Sequence, residues 1–377
     1  MGYRKFTREA YASAASTYVP TRGPATHRAE MQAMKTGKLH ELVDPSGYGV
    51  VRRSLLRFDQ RPDGLYKMTI GCSVPVEIRL DTTGSMGGNV DVALGVLPDT
   101  YGLSAQMVPG CDLHMAIGIF GDVQDSFPLC RPQFEMQAEK IVEQLTLMVP
   151  ERAGGDFPED PHYGLFGAAY LTAAYINRIG LKRYDFTVSD APARERLSTD
   201  QLKRVFGSSV FDKAAENGHK LPIDESSGYL WTKDVVSDVI KESHAFFLQV
   251  GDQRETRQFW VDMFGPERVI SLPSVRLLPQ VQASIIGLTE GTLDLQSLAG
   301  FLEKNGVNAR DARDITRSVI NIPIGAQAAL PNFARRPQAG DVFREKTDLW
   351  PMDPSEVPAL SEATGEEPEV EAGPEWL

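Results

Sequence analysis

Asp81, Thr83 and Ser85 stand at alternate positions in the run Asp81-Thr82-Thr83-Gly84-Ser85-Met86-Gly87, directly behind Val76-Glu77-Ile78-Arg79-Leu80. One carboxylate and two hydroxyls on the same side of a tight turn form an oxygen-only donor set. Such donors suit a hard cation, Mg²⁺ first, with Mn²⁺ or Ca²⁺ as further candidates. A plainer role is also open to these residues: Thr83 or Ser85 capping the orphan N–H groups of a following helix.

No other set of reactive side chains is spaced for chemistry. The six histidines, His27, His40, His114, His162, His219 and His244, fall in unrelated segments, without H-E-x-x-H or H-x-H. Ser85 does not lie in a G-x-S-x-G elbow, and no phosphate-cradling G-x-x-x-x-G-K-[ST] or G-x-G-x-x-G follows a strand. The sequence therefore predicts no enzyme and no nucleotide or dinucleotide cofactor.

The elements that must hold Asp81 are legible as an alternation. Strand-like runs at 75–80, 113–120, 184–189, 245–250 and 268–272 are separated by helical patterns. The helical patterns cover 89–108 (interrupted at Pro98), 134–148, 161–179, 198–206, 232–244 and 256–264, with two more at 293–305 and 310–321. The strands read as near-continuous apolar runs, as expected when helices cover both faces of a parallel sheet. The fold class predicted is a doubly wound, mostly parallel α/β sheet. Ligands bind such sheets at the carboxyl ends of the strands, so the loops behind the strands are where a site belongs.

Asp81-Thr82-Thr83-Gly84-Ser85-Met86 resembles the metal-ion-dependent adhesion site, D-x-S-x-S with Thr accepted in the middle, of the von Willebrand factor A (vWA) domain family. It is most similar to the intracellular and bacterial branch carrying D-x-T-G-S-M. Phe120-Gly121-Asp122 and Ser189-Asp190-Ala191-Pro192 are similar to further motifs of that family, each behind a predicted strand. The resemblance spans about residues 75–288. It implies that Asp81, Thr83 and Ser85 supply first-loop ligands and that Asp190 is the third-loop carboxylate, usually bound through a water.

The family's second-loop Thr is missing. The corresponding stretch is Ala153-Gly154-Gly155-Asp156-Phe157-Pro158-Glu159-Asp160, similar to a G-G-D-x-P-E variant. Asp156 or Glu159 is expected to replace the hydroxyl, and Gly154-Gly155 lets the backbone bend Asp156 toward the strand ends. A third carboxylate would weaken the pull of the ion on an acidic ligand. The alternative is a turn with cap chemistry ahead of Pro161. Asp122 is read as a solvated turn residue or an acceptor behind the metal ligands, and His162 as an exposed residue of a helical first turn.

Composition bounds the rest. The chain has 377 residues, 42% hydrophobic and 24% charged, with three cysteines in no C-x-x-C pair. The net charge of −12 is uneven: residues 1–72 carry twelve Lys/Arg against six Asp/Glu, and residues 351–377 carry eight Asp/Glu and no Lys/Arg. An acidic body is a poor match to nucleic acid, which needs clustered cations. No apolar stretch is long enough to span a membrane, and the start, MGYRKFTREAYASAAS, lacks the apolar core of a secretory signal. The expectation is a soluble cytoplasmic protein with an N-terminal extension (1–72), a vWA-like domain (73–290), a helical appendage (291–350) and a disordered acidic tail (351–377).

These readings converge on a divalent-cation-dependent protein-binding module or scaffold. Its partner would offer a carboxylate or carbonyl to the metal, and the resemblance implies an AAA+ ATPase or a larger assembly as that partner. The alternatives are a structural subunit whose metal only stabilises the fold and, last, a metal-dependent hydrolase. A long insertion at 207–231, with Phe211, Tyr229 and Trp231 as contact anchors or as a simple satellite cluster, is expected on the same sheet edge as the metal.

Overall fold

A computed structural model of the chain describes residues 24–327, apart from 48, 52–56, 61, 65, 71, 110, 153–157, 179–180 and 225. The expected tail and Asp156 lie outside the described residues. The five predicted runs form strands β1 (Cys72–Asp81), β2 (Cys111–Phe120), β4 (Arg183–Ser189), β5 (Ser243–Val250) and β6 (Val269–Leu272), joined by a short β3 (Leu129–Cys130). Their order is β6-β5-β4-β1-β2-β3. All neighbours pair parallel except β3, which runs antiparallel to β2. The order reverses between β1 and β4, so the architecture is a doubly wound, vWA/Rossmann-like α/β sheet with one reversed edge strand.

Helices cover both faces. On one face, α1 (Asn89–Gln106), α2 (Ala138–Thr146) and α8 (Leu278–Glu290) share a core with Val76, Ile78 and Leu80 of β1 and Tyr184, Phe186 and Val188 of β4. Leu298 and Leu302 of α9 (Leu295–Lys304) and Ile315 and Val319 of α10 (Ala309–Val319) join the same core, as do Ala33 and Val43 from the N-terminal region. On the other face, α3 (Pro161–Tyr170), α4 (Thr199–Phe206), α5 (Val210–Glu216), α6 (Thr232–Glu242) and α7 (Arg254–Phe264) bury Phe166, Phe206, Val236 and Trp260.

The two central strands are less apolar than expected. Glu77, Arg79 and Asp81 of β1 alternate with its apolar residues, and Arg183, Asp185, Thr187 and Ser189 of β4 do the same; all are buried. Since successive residues point to opposite faces, these side chains form one polar stripe along the sheet. Arg79 Nη1 donates to Asp185 Oδ1 (2.7 Å) and Thr187 Oγ1 (3.0 Å), while Nη2 pairs with Asp185 Oδ2. Arg131, just after β3, reaches Glu77 Oε1 at 3.2 Å and also donates to Thr172 Oγ1.

Among the departures of the helices from the pattern, two bear on the sheet and the site. Helix α1 runs unbroken across position 98, where an interruption was expected. The expected helix over 161–179 stops at Tyr170, because Gly49 N donates to the Leu171 carbonyl at 2.8 Å and Thr172–Ala174 pairs as a short parallel strand with Gly49–Val51. A turn of helix, Tyr175–Arg178, follows.

Candidate metal site

Asp81 ends β1 and Ser189 ends β4, neighbouring strands on either side of the reversal. The loops behind them therefore diverge around one crevice, the place where doubly wound sheets take ligands. Asp81 Oδ1 accepts from the Thr83 amide at 2.8 Å and the Thr83 hydroxyl at 2.6 Å. Its other oxygen accepts from Ser189 Oγ at 2.5 Å. Thr83 Oγ1 lies 3.2 Å from Ser85 Oγ, which donates to Asp190 Oδ1 at 2.9 Å. The first-loop and third-loop residues are thus brought together as one chain of oxygens.

Thr83 and Ser85 do not cap a helix. Thr83 precedes a short turn of 3-10 helix (Gly84–Met86) without a side-chain cap bond, and Gly88 precedes α1. The capping role is excluded for both hydroxyls. Asp81 and Thr83 are buried, whereas Ser85 is exposed and Asp190 partly so, which leaves the crevice open on that side.

The third loop is pinned from behind. Ser189 Oγ accepts from Ala191 N at 3.0 Å, Thr256 Oγ1 donates to the Asp190 carbonyl at 3.2 Å, and Trp260 Nε1 donates to the Ala191 carbonyl at 2.9 Å. Ser189 was not singled out from the sequence as an Asp81 partner. Its signal was its place in the alternating polar face of β4, which an apolar-run reading overlooks.

Of the two second-loop candidates, Asp156 lies outside the described residues, and Glu159 lies within reach of the charge of Asp81. It forms an isolated parallel bridge with Ala193: its amide donates to the Pro192 carbonyl at 3.0 Å, and its carbonyl accepts from Arg194 N at 3.4 Å. The side chain is only 3% exposed, and Oε2 is buried with no hydrogen-bond partner. Burial, then the charge of Asp81, pushes its carboxyl up to about 8, against a hydrogen bond with Thr83. Asp122 and Asp160 add further negative charge. Asp81 itself is pushed up to about 6 by burial, with Ser189 and Thr83 pulling the other way.

Behind Glu159, several sequence expectations need correction. Asp122 is fully buried, not solvated: its Oδ1 accepts from Gln124 N at 2.7 Å, and Arg194 Nη2 lies 3.4 Å from Oδ2. Arg194 also donates to Asp160 Oδ1 (3.1 Å) and to the Pro158 carbonyl (2.6 Å). His162 is fully buried, not exposed, and burial lowers its pKa to about 3, so the ring is neutral. The 207–231 insertion does not stay at the site edge. Asn217, just past α5, donates to the carbonyls of Tyr170 and Thr172 at the far end of α3, and Tyr229–Trp231 returns, pairing with Arg196–Ser198.

The donor chemistry fits a hard dication: carboxylates and hydroxyls converge, and one buried carboxylate oxygen lacks a partner. Among the described residues no three of His, Cys, Asp and Glu gather closely enough to hold a metal by themselves, so hydroxyls must complete any such set. Likewise, no helix among the described residues is long and apolar enough to cross a membrane.

No family model matches the sequence, and no curated protein does. Solved structures similar to it include a von Willebrand factor type A protein from Catenulispora acidiphila, at 12% identity and a TM-score of 0.34, covering 67% of this chain and 49% of that one. Proximal thread matrix protein 1 from the mussel byssus follows at 12% identity and a TM-score of 0.37, covering 58% and 46%. The pilus adhesin SpaC from Lactobacillus rhamnosus GG aligns at 13% identity and a TM-score of 0.37, covering 66% and 34%. The chain spans about half or less of the length of these structures. The site itself is defined by its strand order and loop geometry.

Proposed function

We propose that this chain is a protein-binding module whose binding depends on a divalent cation, Mg²⁺ first, held by Asp81, Thr83, Ser85 and Asp190 with a carboxylate from the second loop. The observation that supports this best is the oxygen chain Ser189–Asp81–Thr83–Ser85–Asp190 at the point where the strand order reverses. When bound, the cation would supply a fixed positive anchor with a coordination position open toward a partner's carboxylate or carbonyl. The chain's own residues do the rest. Asp81 and Thr83 are held rigid from below, while Ser85 and Asp190 face the opening. Binding is favoured over catalysis because the sequence carries no catalytic motif beside the oxygen chain.

On this reading the protein works in the cytoplasm with a protein partner, an AAA+ ATPase or a member of a larger assembly, as the sequence resemblance implies. Calorimetric titration of Mg²⁺ into the parent and Asp81→Ala tests the site. Capture of partners in Mg²⁺ against EDTA tests the dependence. Heat of binding in the parent alone, with partners lost in EDTA, is the expected result. Partners retained in EDTA would assign the metal a structural role only.

A further inference from the structure

Cys72 and Cys111 are the first register pair of β1 and β2, parallel neighbours that stay in step from there to Asp81 and Phe120. Adjacent strands lie about 4.8 Å apart, inside the ~4.4–6.8 Å between Cα atoms that a disulfide spans. Register partners also share one face of a sheet, because side chains alternate with the pleat. Cys111 packs against the apolar core that Leu113 and Met115 enter, and position 72 has the parity of Val74 and Val76, which enter the same core. Cys111 is only half-buried, so a small oxidant can reach it. The third cysteine is out of reach. Cys130 pairs with Ile119, eight residues along β2 from Cys111 and so about 26 Å away. It is fully buried, and burial pushes its thiol up to about 12.

We propose that Cys72 and Cys111 form a reversible cross-strand disulfide, a redox-responsive clasp at the end of β1 opposite Asp81. The oxidant is a small disulfide of the glutathione class. One protein thiolate attacks a sulfur of that disulfide, and a glutathione thiolate leaves. The second protein thiolate then attacks the protein sulfur of the mixed disulfide and expels the other glutathione. Two protein thiols thus lose two electrons to one small disulfide, and their two protons pass to the two glutathione thiolates released. The clasp is reducible because the ladder holds the Cα atoms closer than the usual separation of about 5.5–6 Å, which strains the bond and raises its potential. Closed, it ties residues 72–111 into one loop that carries Asp81, Thr83, Ser85 and α1. Cross-linking a loop of this length restricts the unfolded chain and raises the melting temperature. Asp81 stands nine residues along β1 from Cys72, about 30 Å away, so the clasp leaves the crevice unchanged.

The full chain is equilibrated in glutathione buffers from reducing to oxidising, quenched with acid and alkylated. Intact mass counts the thiols that remain, and peptide mapping without reductant locates any link. The parent should lose two alkylatable thiols while staying a single chain, with one peptide joining Cys72 to Cys111. Both thiols should return in excess reduced glutathione. The oxidised parent should melt several degrees above the reduced one. Cys130→Ser should behave like the parent, and Cys111→Ser should form no internal link. Three alkylatable thiols in the most oxidising buffer overturn the proposal, as do glutathione adducts in place of a link, a link that includes Cys130, or a link between two chains. A link that survives excess reduced glutathione overturns its reversibility, and equal melting of the two forms overturns the clasp as a constraint on the unfolded chain. All of these overturning results are read from the parent, so none depends on a variant that folds.

Discussion

A side chain on Gly164 would overlap the aliphatic stem of Arg79, with an added Cβ falling 2.8 Å from Nε. Gly167 stands in the same relation to Arg131, at 2.9 Å from Nε. Helix α3 thus owes its two glycines to the arginines of the polar stripe beneath it. The stripe's arginines are held by carboxylates, so they cannot retreat as a free side chain would.

Gly164→Ala should therefore destabilise the protein by about 1–3 kcal/mol, the usual range for overpacking. Gly102→Ala, in α1 with nothing within 4 Å, is the control and should be neutral or stabilising by up to ~1 kcal/mol. Urea unfolding of both variants decides the matter. Equal stability of Gly164→Ala and the parent would show that Arg79 yields.

Metal binding should appear as stability. At a Mg²⁺ concentration about 100-fold above the dissociation constant, the folded state gains roughly 2.7 kcal/mol. Asp81→Ala removes the carboxylate at the centre of the oxygen chain and should abolish that gain, while leaving β1 intact. Thermal unfolding with Mg²⁺ and with EDTA measures the difference. The assignment fails if both proteins shift alike.

Arg194 is the guanidinium that Asp122 and Asp160 both face, and each carboxylate is buried. Arg194→Met should cost about 2–3 kcal/mol, somewhat below the ~3–5 kcal/mol for a fully enclosed pair because the arginine is partly exposed. Asp122→Asn on the Arg194→Met background should recover part of the loss. No recovery in a double-mutant cycle would mean that the two residues are not coupled.

Acid should weaken the fold through its histidines. Burial lowers the pKa of His114 and of His244 from 6.5 to about 4. Between those values the unfolded chain binds protons that the folded chain refuses, so stability is fully present above about pH 6.5 and is lost as pH falls toward 4. Each histidine contributes a slope of at most ~1.4 kcal/mol per pH unit. His114→Gln should flatten the dependence of unfolding free energy on pH by about one proton. An unchanged slope in urea titrations from pH 7 to 4.5 would contradict this.

The sequence by itself determined the framework. Five of the six sheet strands are apolar enough on at least one face to announce themselves, and Asp81, Thr83 and Ser85 needed only the turn behind β1 to share one side. Local chemistry dictates both. What it left hidden depends on partners distant in the chain. The edge strand Leu129–Cys130 is too short to carry a pattern and exists because β2 offers it hydrogen bonds. The end of α3 was set by pairing with Gly49–Val51, more than a hundred residues earlier. The sequence left Asp156 and Glu159 as alternatives and leaned on two glycines for the former. Asp156 lies outside the described residues, while Glu159 is tied to the third loop through a bridge to Ala193 that no local pattern encodes. Asp122 and His162 read as surface residues because polar side chains usually are; tertiary packing buried them by supplying Arg194 to the one and holding the other neutral. The same reason explains the polar stripe. Charged residues alternate with apolar ones in β1 and β4 as they would on a solvated face, and only the docking of a glycine-bearing helix over them turns that face into part of the interior.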